Sequence, residues 1–227
     1  MTKQQLVRIR IRHRPKTGES AKQRHEVAIE TLLSASLANE AATESVILEF
    51  AEGDELDVGA AQLNSICRNG VNANAVYGPR FQDMPDVAMY DDSLTIVCDT
   101  QLVDYVSLLT TSLPIVISTF GAYRANVVVS NEQDMIDYKM LNELRRSDPR
   151  DLDGRDGILR LSPACYFDRT LCERAFRLSC EVAAARLKQV AEHVELWEDG
   201  VLVVLSASSR DNEYLERVNR IAINVLK

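Results

Sequence analysis

The stretch Leu6-Val-Arg-Ile-Arg-Ile-Arg12 alternates without a fault, with Val7, Ile9 and Ile11 on one side and Arg8, Arg10 and Arg12 on the other. A period of two residues is that of a β-strand with one face buried and the other in water. Outward from it, Gly18 and Ser20 open a predicted helix of about 18 residues, with Val27, Ile29, Leu32, Leu33 and Leu37 at near-helical spacing. A strand at Val46–Phe50 follows, then an amphipathic stretch from Leu56 to Cys67 that reads as a helix closed by Asn69-Gly70. The opening is therefore β-α-β-α.

Farther on, the pattern predicts a strand around Ala73–Tyr77, a long loop to Asp92, a strand at Leu94–Cys98 and a helix from Thr100 stopped by Pro114. Ile115–Phe120 and Ala125–Ser130 are β-branched runs that read as a hairpin, and Asn131–Arg146 reads as a helix. The stretch 148–157, with six charged residues, two glycines and a proline, reads as a linker with almost nothing to bury. Beyond it come a strand at Ile158–Leu161, a helix from Arg169 to Ala191 capped by Asp168, and a hairpin of Val194–Trp197 and Val201–Leu205. Asp199-Gly200 supplies the expected turn, and a final helix starts at Asp211 or Asn212. The expected class is α+β, with mixed or antiparallel sheets covered by helices on one face, in two β-α-β-type sub-domains at 1–147 and 158–227.

Composition narrows the function. The chain has 227 residues, 46% hydrophobic and 26% charged, enough to bury a core without disulfides or metal. Its net charge of −8 argues against a nucleic-acid or acidic-membrane binder. Residues 1–25 carry +7, residues 26–113 carry −13, and residues 114–227 carry −2. The acidic block makes a negative field that attracts a basic partner. Within it, Glu52, Asp54, Glu55, Asp83, Asp86, Asp91 and Asp92 are the expected partner-binding acids, and Tyr77, Phe81 and Tyr90 the expected aromatic anchors.

Catalytic signatures are scarce. Cys67, Cys98, Cys165, Cys172 and Cys180 form no Cys-x-x-Cys pair, so they read as reduced thiols of a cytoplasmic protein, buried as small apolar groups. No apolar run suggests export or membrane spanning. Asp148, Asp151, Asp153 and Asp156 fail the calcium-loop pattern, since Arg160 stands where the bidentate glutamate belongs. His13, His25 and His193 are the available imidazole bases, and no nucleophile-elbow, zinc-protease, dinucleotide or P-loop string surrounds them. No enzyme activity, metal or cofactor is expected. The arginine row reads as a solvated sheet face or as partners of acids on a neighbouring strand.

The segments Leu161-Ser-Pro-Ala-Cys-Tyr-Phe-Asp168, Leu171-Cys-Glu-Arg-Ala-Phe-Arg-Leu-Ser-Cys-Glu-Val182 and His193-Val-Glu-Leu-Trp-Glu-Asp-Gly-Val-Leu-Val-Val204 together resemble the C-terminal part of bacterial immunity proteins that protect against polymorphic or secretion-system toxins. The resemblance implies an acidic, cytoplasmic α+β protein that neutralises a cognate toxin by binding it, in some cases by covering a nuclease's basic cleft. Its partner would be a protein toxin with a basic surface. A motif-free hydrolase and an assembly subunit are the alternatives, and the sequence leaves the oligomeric state open.

Overall fold

The computed structural model describes residues 6–39, 49–50 (backbone), 58–80, 86–129, 150–207 and 211–227. Two compact units divide the chain, Met1–Ala122 and Tyr123–Lys227. The class is α+β, and the strand pairings within each unit are antiparallel.

In the first unit β1 (Leu6–His13), β2 (Glu49–Phe50), β3 (Gly59–Gln62), β4 (Val71–Tyr77) and β5 (Asp92–Asp99) lie in the order β2-β3-β4-β5-β1. The alternation in β1 holds throughout: Val7, Ile9 and Ile11 are fully buried, while Arg10 is exposed and Arg8 and Arg12 are half-buried. Each such apolar side chain contributes about 1.5–3 kcal/mol on leaving water. Leu94, Ile96 and Cys98 of β5 and Ala73, Ala75 and Tyr77 of β4 continue the same buried face. Helix α1 (Ala21–Ser34) starts where Ser20 accepts from the Gln23 N–H and the Gln23 side chain accepts from the Ser20 N–H, a reciprocal capping box.

Two expectations fail here. The stretch predicted helical at Leu56–Cys67 contains β3 instead, with Gly59, Ala61 and Leu63 buried and Ala60 and Gln62 exposed, a period of two hidden by small side chains. Pro114 does not end the helix. A single turn, α2 (Tyr105–Ser107), passes through a π-turn at Leu108–Ser112 into α3 (Leu113–Phe120), so Ile115–Phe120 is helical and the expected hairpin is absent. A proline ring would strike the carbonyl four residues back in an unbroken α-helix. The wider turn instead places Pro114 in the first turn of a new segment, where a missing N–H costs nothing.

In the second unit β6 (Arg124–Val128), β7 (Ala164–Asp168), β8 (His193–Trp197) and β9 (Gly200–Val204) take the order β6-β7-β9-β8. Helices α4 (Arg169–Phe176), α5 (Cys180–Leu187) and α6 (Asn212–Leu226) bury Leu171, Ala183, Leu187, Val218 and Ala222 against Cys165, Phe167, Val201 and Val203. Asp168, Ser179 and Asp211 cap them, accepting from the N–H groups of Leu171, Val182 and Tyr214. The helix expected to run unbroken to Ala191 is interrupted at Arg177, which takes a left-handed φ of 57°. The strand expected at Ile158–Leu161 lies instead at Ala164–Asp168. In the β8–β9 turn the positive φ falls on Glu198, at 50°, not on Gly200. Gly200 serves another end: a Cβ there would stand 2.3 Å from the Phe167 carbonyl oxygen.

The charged stretch is not a linker. Its described residues 150–157 fold inside the second unit, whose boundary lies earlier, at Ala122/Tyr123. The Arg124 guanidinium, buried, donates to Asp153 and to the carbonyls of Gly154 and Gly157, and Leu152 and Arg155 are buried. The helix expected at Asn131–Arg146 and most of the strand expected at Val46–Phe50 lie outside the described residues.

Candidate functional site

The strand phase decides where the predicted partner-binding residues go. Asp92 opens β5 on the same side as Leu94, Ile96 and Cys98, and it is fully buried. Asp91 is buried beside Arg12, 3.7 Å away. Tyr77 closes β4 on the inward side, with no exposed surface, its hydroxyl 3.1 Å from Nδ1 of His25. As placed, these three cannot form a docking surface, which corrects the expectation for them. Asp86 is exposed, Tyr90 is half-buried, and Met89 between them is 78% exposed. Glu52, Asp54, Glu55, Phe81 and Asp83 lie outside the described residues.

What the inward acids build instead is a buried clasp. His13 and Asp92 stand directly opposite in the β1–β5 register. Asp92 Oδ1 accepts from Arg80 at 2.7 Å and from the Gly78 N–H at 3.0 Å. Its other oxygen faces Arg24 Nε at 3.5 Å. Arg24, from α1, donates to the Phe120 carbonyl at 2.7 Å and reaches Glu19 at 3.5 Å. Arg80 also donates through Nε to the Glu19 backbone carbonyl at 2.8 Å and through a terminal nitrogen to that of Gly78. The chain can approach here only because residue 78 lacks a side chain: a Cβ would lie 2.0 Å from the Tyr90 carbonyl oxygen.

His13 Nδ1 donates to the Gly121 carbonyl at 2.7 Å, and Nε2 lies 3.2 Å from a Glu19 carboxylate oxygen, to which it donates only when the ring is protonated. Burial and the neighbouring Arg24 hold its pKa below the ordinary value, against the opposing pull of Gly121 and Glu19. Burial raises the Asp92 carboxyl, opposed by Arg80, the Gly78 N–H and Arg24. In the clasp the carboxylates of Glu19 and Asp92 stand against the guanidiniums of Arg24 and Arg80. His13, Glu19 and Asp92 present donor atoms within 4.8 Å of one another, the spacing of a metal site. The charge does not suit one: Arg24 and Arg80 already neutralise both carboxylates, and a divalent ion would leave +2 uncompensated in a buried site.

The remaining reactive groups lie apart. His25 is buried against Tyr77, and His193 is exposed beside Glu195 at 3.4 Å. Burial pushes the thiol of Cys67 up to about 11 and those of Cys98, Cys165 and Cys172 up to about 12, far from the range of a nucleophile. No described hydrogen bond joins a histidine to a cysteine. The sequence held a signal for the clasp: His13 and Asp92 each continue a strictly apolar phase, Val7-Ile9-Ile11 and Leu94-Ile96-Cys98. Its arginine partners come from distant elements and carry no such mark.

No protein-family model matches the chain, and no curated protein matches it. Among solved structures the fold is similar to that of the Pseudomonas aeruginosa T6SS protein PA0821, with a TM-score of 0.61 at 11% sequence identity, covering 97% of this chain and 72% of that one. No described helix is long and apolar enough to cross a membrane.

Proposed function

We propose that the chain is a non-enzymatic, cytoplasmic binding protein of the immunity type, which neutralises a basic antibacterial toxin by direct contact. The observation that carries this reading is the closed clasp. The constellation best equipped for acid–base chemistry, His13 with Glu19 and Asp92, is tied to Arg24 and Arg80, with His13 and Asp92 buried and Glu19 partly open to solvent, which favours a role in the fold and a function carried by the surface. The acidic block at 26–113 and the fold likeness to a protein of a bacterial secretion system support it. Opposite charge would speed association, and apolar contacts would slow release.

The test pairs the chain with the product of the gene beside its own. Cells expressing that product are expected to survive only when the chain is co-expressed, and the purified proteins to associate at a rate that falls steeply with salt. Reversal of Glu52, Asp54, Glu55, Asp83 and Asp86 to lysine is expected to slow association. Absence of protection together with absence of a complex overturns the reading.

A further inference from the structure

We infer that β8, the outer strand of the second unit's sheet, is a docking edge for an extended basic segment of a partner protein, which joins the sheet as a further strand. The inference deepens the toxin-binding reading and rests on it for the source of the segment.

Three observations converge on this strand. Its position is the first, since β8 ends the order β6-β7-β9-β8 among the described residues. Trp197 pairs with Gly200 across a two-residue turn, and Leu196, Glu195, Val194 and His193 follow in register with Val201, Leu202, Val203 and Val204. The closing pair of such a hairpin is hydrogen-bonded and bonded pairs alternate, so Val194 and Leu196 turn their N–H and C=O groups outward. An outer strand with outward backbone groups is a template for another.

Side chains are the second. Val194 is buried in the core, but Leu196, on the same face of the strand, is 50% exposed. It leaves an apolar rim where the added strand would bring its own apolar residue. Charge is the third. Glu192, Glu195, Glu198 and Asp199 bracket the strand, and no lysine or arginine occurs from 192 to 199. All four acids are exposed. Acids spaced along an edge with an apolar rim select a strand that alternates basic and apolar residues, and they disfavour a second copy, whose Glu195 would meet this one in antiparallel pairing about that residue.

The chain supplies its own reporter, because its single tryptophan is Trp197, in β8. Titration of the full chain with a hexapeptide of alternating lysine and valine is expected to change Trp197 fluorescence saturably and to protect the Val194 and Leu196 amides from hydrogen exchange. The corresponding glutamate–valine peptide is expected to do neither. Leu196→Pro, which removes an outward N–H, should abolish binding. The exposed pair Glu195→Lys and Glu198→Lys, which leaves the core untouched, should weaken it by about tenfold or more. Unchanged fluorescence and exchange, or wild-type binding by both variants, overturns the docking edge. In parallel, a toxin complex insensitive to both variants overturns β8 as the toxin's docking edge while the toxin-binding reading stands. Failure of the wild-type chain to bind any toxin overturns that reading, and the peptide titration still decides the edge.

Discussion

Arg24 lies across the ring of Phe120, its guanidinium carbon 4.5 Å from the ring centroid, and donates to the carbonyl of the same residue. The contact joins α1 to the end of α3 and holds a cation fully inside the first unit, beside Asp92. Truncation here removes a charge from a balanced buried group. Arg24→Met is expected to lower the unfolding free energy by about 3–5 kcal/mol, because Asp92 keeps its charge with half of its compensation gone. Adding Asp92→Leu should recover part of the loss. Urea unfolding of the two variants checks this, and a loss under about 1 kcal/mol for Arg24→Met would show that the clasp contributes little.

The two buried histidines make stability fall on acidification, while the raised Asp92 carboxyl acts in the opposite direction by taking up a proton more readily in the folded chain. His13 and His25 both titrate below their ordinary value in the folded chain, chiefly through burial. Between the unfolded value of about 6.5 and the folded values, the unfolded state binds more protons, so acidification through that window favours unfolding. The loss levels off once the folded histidines have protonated too. Thermal melts from pH 7.5 downward should therefore show Tm beginning to fall near pH 6.5, with a shallower fall in His13→Gln. A midpoint indifferent to pH down to 5 would contradict the burial of both imidazoles.

Elements whose side-chain period matches their burial are legible in the sequence alone. β1 is one: its three isoleucine and valine side chains and three arginines have no other arrangement that hides the first and wets the second. The β8–β9 hairpin is legible for a different reason, its Asp199-Gly200 turn between two apolar runs, since β9 is buried at every position. Where the reading failed, a local feature was answered by geometry elsewhere. Pro114 carries a stop signal, yet the π-turn before it absorbs the ring. Ala60 and Ala61 look helical because small residues carry no strong phase. Asp91 and Asp92 read as surface because acids are usually solvated, and the fold supplies Arg12, Arg24 and Arg80, which make their burial tolerable.

Gly200 offers a test of close packing independent of any charge. A Cβ at this position would lie 2.3 Å from the Phe167 carbonyl oxygen and 2.8 Å from the Asp168 Cα, both backbone atoms of β7 that cannot swing aside. Gly200→Ala should push β9 away from β7 and cost about 1–3 kcal/mol, whereas a turn needing glycine only for its φ would place the positive angle on this residue. The observed left-handed residue is Glu198. Glu198→Gly is therefore expected to be tolerated or mildly stabilising where Gly200→Ala is not. Chemical denaturation of both, side by side, separates the two roles.

The stretch 150–157 has a linker's composition and a folded segment's contacts, and the two make opposite predictions about proteolysis. In a solvated linker, Arg155 would be an early tryptic site. Here Arg155 is 4% exposed, its N–H donates to Asp151 at 2.9 Å, and the segment closes over Arg124 through Asp153. Cleavage after Arg155 should therefore require opening of the turn, and it should be slow in the native chain compared with the exposed Arg150. Asp153→Ala removes the carboxylate that faces a fully buried guanidinium, so it should both destabilise the second unit, by about 3–5 kcal/mol, and accelerate that cut. Timed trypsin digestion with mass spectrometry reads both effects, and equal early cleavage at Arg150 and Arg155 in the wild-type chain would restore the linker.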